Sequence, residues 1–560
     1  MIRIVNKEIF KSSKIKILNR KISQHLTIDS TNSKSPINFQ VNLLKVPSNF
    51  GYYSGRVNRP YNEDRWQTSI LDLRPETLKI DDNDNNDNDI NNDDIMEGFS
   101  NFDFDNKKLV LESRRIKEPI YNLNSPPIDR TLFSFGIFDG HGGIECSNYL
   151  KNHLFENIEK FNLTNKSFIE INKFFNLKIS GYWKRLGRKF GDVMINECNI
   201  ENVIKKYVDK INREHQIKIK EQDEGEGEVV NDDNDHDYDD DVEQLIDWED
   251  IRNGKELWNI IEMMIKDNKL SHWEIFKIRI WLSYLFTDIQ FLTWENENNQ
   301  ILKKKLKIKE PKEIQERLIN SGSTCTSCFI YAVDWNKEDR NHYFYQDNVV
   351  SRLLIGHIGD TRLIICDKFG IGHSLTKDHH PSNPIEAKRL RKFSSGLIMT
   401  DSFGEERFLN FANTRSFGDL SAKDLGISSE PEISDYLIGN SNMIKNFKNN
   451  LNNKEILKDN KILDFGGDES FIVLISDGVT NNLSDQEIVD IIKTNYNNKG
   501  IDKGNPSKCA EEVIEFVECI GGDDNATCLV IRLGGWGKWP IEDITGKLRE
   551  ERMMDIRYNR

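Results

Sequence analysis

The run Thr131-Leu132-Phe133-Ser134-Phe135-Gly136-Ile137-Phe138 leads directly into Asp139-Gly140-His141-Gly142-Gly143. A short apolar run closed by glycines reads as a buried strand ending in a tight turn. The carboxylate at its end then projects toward solvent or a cleft. Outward from this stretch the same arrangement recurs. Leu353–His357 and Arg362–Cys366 read as strands around the turn Ile358-Gly359-Asp360-Thr361. Phe471–Ser476 ends at Asp477-Gly478, and Cys528–Leu533 follows Gly521-Gly522-Asp523-Asp524-Asn525. Helical spacing joins Trp273, Phe276, Ile280, Trp281, Tyr284 and Leu285. A second helix starts at Leu483-Ser484-Asp485, an N-cap signal, and a third covers Cys509–Cys519. Strands and helices come in runs without strict alternation, which predicts an α+β layered fold.

Asp139, Asp360, Asp477 and Asp524 thus each stand at a strand end or in the adjoining turn. Brought to one edge, four anions would repel one another unless a counter-charge joined them. Divalent cations supply it, and oxygen-only ligands select Mg²⁺ or Mn²⁺ over zinc. Gly140, Gly142 and Gly143 would let backbone approach an ion closely. A single Asp-Gly is ordinarily a turn; spacing alone does not prove that the four converge. Arg59-Pro60-Tyr61-Asn62-Glu63-Asp64 adds a guanidinium four residues before two adjacent carboxylates. Arginine grips phosphate oxygens as a fork, although a surface ion pair reads equally well from Arg59 alone.

Charge is distributed unevenly. Residues 221–250 hold sixteen Asp and Glu without a Lys or Arg, and residues 81–94 hold seven Asp. Setting those acids aside turns the formal net charge of −15 into +8. The tracts 79–108 and 221–244 are expected to be solvated insertions, too polar to offset ordering entropy. Neither has the glycine and glutamate frame of an EF-hand loop. Eight cysteines in 560 residues, without short regular spacing, are no disulfide framework. Cys325 and Cys328 lie within the apolar run Thr324–Val333 and read as strand residues. No long uncharged apolar run predicts a membrane span, and nucleic acid is disfavoured as a partner. Residues 1–26 carry Arg3, Lys7, Lys11, Lys14, Lys16, Arg20 and Lys21 against Glu8 alone. A basic amphipathic N-terminus reads as a mitochondrial presequence, with a basic tail and a cytoplasmic protein as the alternative.

Taken in order, these pieces resemble the metal-dependent Ser/Thr protein phosphatases of type 2C. Arg59-x3-Glu63-Asp64, Phe138-Asp139-Gly140-His141-Gly142-Gly143, Ser321-Gly322-Ser323-Thr324 and Gly359-Asp360-Thr361-Arg362 are similar to four successive family motifs. Thr376-Lys377-Asp378-His379 with Pro381 through Arg389, Thr414–Asp419, Ser476-Asp477-Gly478 and Asp524-Asn525 continue the series. The resemblance covers roughly residues 50–533 outside the insertions. Departures are Thr361 in place of serine, Val479-Thr480-Asn481 after Asp477-Gly478, and 179 positions between Gly143 and Gly322, far more than the family has.

The resemblance implies a four-layer α-β-β-α sandwich of two mostly antiparallel sheets flanked by helices. It implies two Mg²⁺ or Mn²⁺ ions, with a third at a weaker site. Asp139 would bridge two of them, the Gly140 carbonyl would bind one, and Asp477 and Asp524 would hold the other. Glu63 and Asp64 would act through waters, and Asp360 with Asp477 would form the weaker site. Arg59 would hold phosphate and His141 would serve as general acid, with a structural His141 as the alternative. Asp378, His379 and Asp419 would be supporting residues. Phosphoproteins are the implied substrates. The mitochondrial reading adds matrix proteins, the E1α subunit of pyruvate dehydrogenase among them. A monomer is expected. The domain reading is presequence 1–26, phosphatase unit 27–533 with insertions near 79–108 and 160–270, and tail 534–560. Rival readings are an inactive phosphatase-like interaction protein, which would need missing ligands, and a two-metal nuclease, which would want a basic groove.

Overall fold

A computed structural model describes residues 25–29, 38–42, 49–71, 132–161, 163, 165–179, 182–186, 190–225, 246–248, 251, 256–267, 269–292, 320–333, 343–391, 398–400, 406–408, 411–449 and 463–559. The tract 79–108 and most of the tract 221–244 lie outside these residues. So does the basic segment 1–26, apart from His25 and Leu26.

The strands are β1 (His25–Asp29), β2 (Asn38–Asn42), β3 (Phe50–Gly55), β4 (Arg65–Leu71), β5 (Leu132–His141), β6 (Gly322–Ala332), β7 (Val350–Ile358) and β8 (Arg362–Cys366). They continue as β9 (Gly372–Ser374), β10 (Ile398–Thr400), β11 (Glu406–Phe408), β12 (Phe417–Gly418), β13 (Glu432–Gly439), β14 (Leu463–Asp464), β15 (Phe471–Ile475) and β16 (Ala526–Arg532). One sheet runs β14-β13-β7-β6-β5-β4, with β12 paired to β6. The other runs β3-β16-β15-β8-β9. All pairings in both are antiparallel except β13 with β14. β1–β2 and β10–β11 are separate hairpins.

Three apolar layers follow from the period-2 alternation of these strands. Phe135 and Ile355 of the larger sheet meet Leu363, Leu474 and Leu529 of the smaller one. The outer face of the larger sheet packs on the helices Glu145–Lys160 and His272–Leu292. The outer face of the smaller sheet packs on Asp485–Lys503 and Pro506–Cys519. The result is the α-β-β-α order expected. Cys325 and Cys328, three residues apart in β6, point to opposite faces of their sheet, and both are fully buried. Ser484 caps Asp485–Lys503 through a reciprocal capping box with Glu487, as its N-cap signal predicts.

Residues 161–270, read as an insertion, hold a core of their own. Phe175, Trp183, Met194, Ile204, Trp258 and Ile261 build a separate buried core there. It leans on His272–Leu292, which is apolar on two faces. Ile278, Trp281 and Leu285 enter the helical core, while Phe276, Ile280 and Tyr284 enter the sheet core. A helix hydrophobic all round is a buried helix. The helix Glu201–Gly225 runs through the first residues, 221–225, of the acidic tract. The C-terminal segment docks as well. Trp536 and Trp539 are buried against Phe471 and Tyr496.

Candidate active site

The site is a rim where the ends of both sheets meet. β5 does not stop at Phe138. It runs on through Asp139, Gly140 and His141, which pair with Thr324, Ser323 and Gly322. Asp477 follows β15, Asp524 precedes β16, Asp360 lies between β7 and β8, and Glu63-Asp64 precede β4. The Asp477 N–H donates to Asp139 Oδ2 at 3.4 Å, joining the two sheets.

Asp64 is buried between them. Its Oδ2 accepts from Ser476 Oγ at 2.8 Å and Thr527 Oγ1 at 2.7 Å. Its Oδ1 is buried and has no donor among the described residues. Glu63 is tied at both ends. Its N–H donates to Asn525 Oδ1 at 2.8 Å, and its Oε1 accepts from the Gly143 N–H at 2.7 Å. Asp360 Oδ2 accepts from Asn413 Nδ2 at 2.9 Å. A Cβ at Gly140 would stand 2.7 Å from the Glu63 carbonyl oxygen, so only glycine admits that crossing.

The carboxylates disturb one another. Burial, with Asp477, Asp64 and Asp360 beside it, holds the Asp139 carboxyl well above the usual range. Burial pushes Asp64 up to about 6, and Asp524 adds to that. Burial and then Asp477 raise Asp360 to about 7. Burial, followed in part by repulsion from Asp524 and Asp64, raises Asp477 to about 6. Burial raises Glu63 as well. Anions that resist ionising together are the electrostatic signature of a cation site.

Among the described residues, no three His, Cys, Asp or Glu side chains stand close enough to hold one ion directly. A hard ion that keeps several waters needs only one or two carboxylates. The all-oxygen donors, their mutual repulsion and the orphaned Asp64 Oδ1 therefore fit Mg²⁺ or Mn²⁺.

Two further groups stand at the mouth. Arg59 Nη2 lies 2.8 Å from Asp524 Oδ2, and its Nε donates to the Asp523 carbonyl at 3.0 Å. Its side chain is 49% exposed. His141 Nε2 lies 2.8 Å from Asp419 Oδ2, with 40% of the imidazole exposed against 3% of its partner. Burial pulls the imidazole down, but Asp419 outweighs that and lifts it to about 9. Burial raises the Asp419 carboxyl, but His141 outweighs it and holds the group low.

All nine expected residues therefore lie at this one rim. The sequence reading did not single out Ser476, Thr527 and Asn413 as partners of the carboxylates; Ser476 and Asn413 stand in or beside quoted motifs, while Thr527 reads as an ordinary strand residue. Behind the rim, Arg389 and Arg415 both grip the buried Glu386. His379 Nδ1 accepts from the Gly359 N–H at 3.0 Å and so steadies the Asp360 turn.

The family model described as protein phosphatase 2C matches residues 264–443 and 460–526. The match begins beyond the Arg59–Gly143 motifs, which the sheet pairing joins to it. Protein phosphatase 2C homolog 4 of Schizosaccharomyces pombe is 36% identical over 215 residues, covering 38% of this chain and 47% of that protein. The mitochondrial protein phosphatase 1K of Xenopus laevis is 28% identical over 194 residues, covering 34% and 42%. The chain thus matches just under half the length of these relatives. A serine-threonine phosphatase 2C structure from Toxoplasma gondii superposes with a TM-score of 0.37 at 11% identity, covering 91% of this chain and 98% of that one. Over residues 264–443 and 460–526 this chain is similar to the protein phosphatase 2C family.

Proposed function

We propose that this protein hydrolyses phosphoserine and phosphothreonine on protein substrates. The observation that carries the reading is the convergence of Glu63, Asp64, Asp139, Asp360, Asp477 and Asp524, with Arg59 and His141 at the mouth. Asp139, the Gly140 carbonyl, Asp477 and Asp524 are the groups to hold two Mg²⁺ or Mn²⁺ ions, with Glu63 and Asp64 acting through waters. Asp360 with Asp477 would serve a third, weaker position. When bound, the cations supply a water activated at neutral pH and the counter-charge for the phosphate.

The chain's own side chains supply the rest. Arg59, half exposed at the rim, offers a fork to phosphate oxygens and offsets charge that builds in the transition state. Asp419, 2.8 Å from His141 Nε2, favours the protonated imidazole, which can give a proton to the departing serine or threonine oxygen. With Nε2 held by Asp419, Nδ1 is the nitrogen left to deliver it. Among the described residues no helix is long and apolar enough to cross a membrane.

The basic segment 1–26 and the likeness to a mitochondrial relative support mitochondrial phosphoproteins as substrates, the E1α subunit of pyruvate dehydrogenase among the candidates. We read the chain as presequence 1–26, catalytic unit 27–533 with insertions, tail 534–560, and a monomer.

The test is phosphate release from a phosphothreonine peptide with Mn²⁺, with Mg²⁺ and with EDTA. Metal-dependent release that Asp477→Asn abolishes is the expected result. A folded protein, loaded with Mn²⁺ and without turnover on any phosphopeptide, overturns the reading. Import of a fluorescent fusion into mitochondria, lost on removing residues 1–26, tests the compartment.

A further inference from the structure

The Asp419 carboxylate that holds His141 sits beside a second cation. Lys423 is fully buried, four residues on, and its charge acts on Asp419. Lys423 Nζ donates to the Ser416 carbonyl at 2.7 Å, and Ser416 Oγ in turn donates to Asp419 Oδ2. An unmatched buried ammonium here would compete with His141 for Asp419. It is matched from elsewhere. Asp288, near the C-terminal end of the helix His272–Leu292, places Oδ2 2.8 Å from Lys423 Nζ, both side chains having no exposure. Its Oδ1 accepts from the Gly418 N–H at 2.8 Å. Gly418 has φ +70° and Asp419 φ 48°, so the backbone bearing Asp419 is left-handed at two successive residues. Asp288 thus pins that unusual turn and occupies its lysine.

We propose that Asp288 is a positioning residue for proton delivery by His141. By engaging Lys423 it leaves Asp419 to the imidazole, and by holding the Gly418 N–H it fixes where Asp419 stands. The helix that carries Asp288 is shared with the core of residues 161–270, so that module braces the proton donor. This rests on the phosphatase reading above. In the step concerned, a water oxygen bonds to phosphorus while the phosphorus–oxygen bond to the threonine breaks. The bonding pair stays on the threonine oxygen, which takes the proton from His141.

The test compares two substrates. The phenolate leaving from p-nitrophenyl phosphate needs no proton, whereas the alkoxide leaving from phosphothreonine does. In Asp288→Asn, kcat for a phosphothreonine peptide is expected to fall about tenfold or more, within the range general acids contribute, with KM changed less than about twofold. For p-nitrophenyl phosphate the fall should stay within about threefold, because that step draws on no general acid. Gly322→Ala should show the same selectivity, because its Cβ would sit 2.3 Å from His141 Nε2 and 2.4 Å from Asp419 Oδ2.

Asp288→Asn combined with Lys423→Met removes both buried charges at once. It serves if the single variant fails to fold, and it should recover phosphothreonine turnover toward wild type. Equal losses on both substrates, no loss on either, or a folded double variant whose phosphothreonine turnover stays about tenfold or more below wild type would overturn the role of Asp288. A wild-type protein inactive on both substrates would instead overturn the phosphatase reading, and this inference with it.

Discussion

Thr527 Oγ1 donates to Asp64 Oδ2 at 2.7 Å, and Ser476 Oγ donates to the same oxygen, so β16 and the end of β15 hold a carboxylate from the loop before β4. One buried acid therefore locks the two sheets together at the rim where the site forms. Groups that orient metal ligands typically govern metal affinity by ten- to a hundredfold. Thr527→Val is expected to raise the Mn²⁺ concentration needed for half-maximal activity by about tenfold, with kcat at saturating Mn²⁺ changed far less. A metal titration of activity, with calorimetry of Mn²⁺ binding beside it, decides this. Unchanged Mn²⁺ affinity would remove Asp64 from the cation site.

The clustered carboxylates predict a stability paradox. Burial and mutual repulsion raise Asp139, Asp360 and Asp477, so at neutral pH their ionised forms oppose folding. In EDTA, Asp477→Asn should melt higher than wild type while being inactive. Mn²⁺ should raise the melting temperature of the wild type and raise that of the variant much less. Calorimetry in EDTA and in Mn²⁺ checks both arms. A variant that Mn²⁺ stabilises as much as it does wild type would contradict the assignment of Asp477.

Acid should loosen the far side of the larger sheet. Asp435 of β13 pairs with Lys277 Nζ at 2.8 Å and accepts from Arg352 Nε at 2.9 Å. Burial raises its carboxyl, but Arg352 and Lys277 outweigh that and hold it at about 2. Its folded value is depressed below the unfolded one of about 3.9. The stability it contributes is therefore complete above that unfolded value and is lost as pH falls toward 2. Asp435→Asn leaves two buried cations without their anion and should destabilise by about 3–5 kcal/mol at pH 7. The difference between wild type and variant should shrink as pH drops below 4. Denaturant melts across pH give the answer, and a difference that does not change with pH refutes it.

The C-terminal segment should contribute strongly to stability although it lies far from β15 in sequence. Trp539 meets Phe471, Tyr496 and Trp536 edge-on at 5.2–5.4 Å between ring centroids. Trp539→Ala should destabilise by about 3–5 kcal/mol. Chemical denaturation measures this directly. A cost below about 1 kcal/mol would mean that the surrounding rings close the cavity.

Much of the molecule was legible one segment at a time. The runs Phe471–Ser476 and Arg362–Cys366 specify strands because β-branched and aromatic residues between glycine turns admit little else. The acids at their ends marked four candidates, and the family resemblance supplied the roles proposed for them. Asp139, Asp360, Asp477 and Asp524 are marked locally, by a strand before or after each of them. Other features carry no local mark. Thr527 reads as an ordinary strand residue until Asp64, 463 positions away, is placed against it. The core within residues 161–270 carries no local mark, because its apolar residues are spread over several helices and gather only when packed. Asp288 looked like one more polar residue on an apolar helix. Its burial against Lys423 and its link to His141 exist only because a helix, a turn and a strand end from three distant parts of the chain meet. Local sequence determined the strands, the caps and the kinds of side chain at their ends, since short-range sterics and hydrophobic period act within a few residues. Tertiary structure alone decided which charges share a low-dielectric space, because the energy of a buried charge depends on neighbours brought together by the fold.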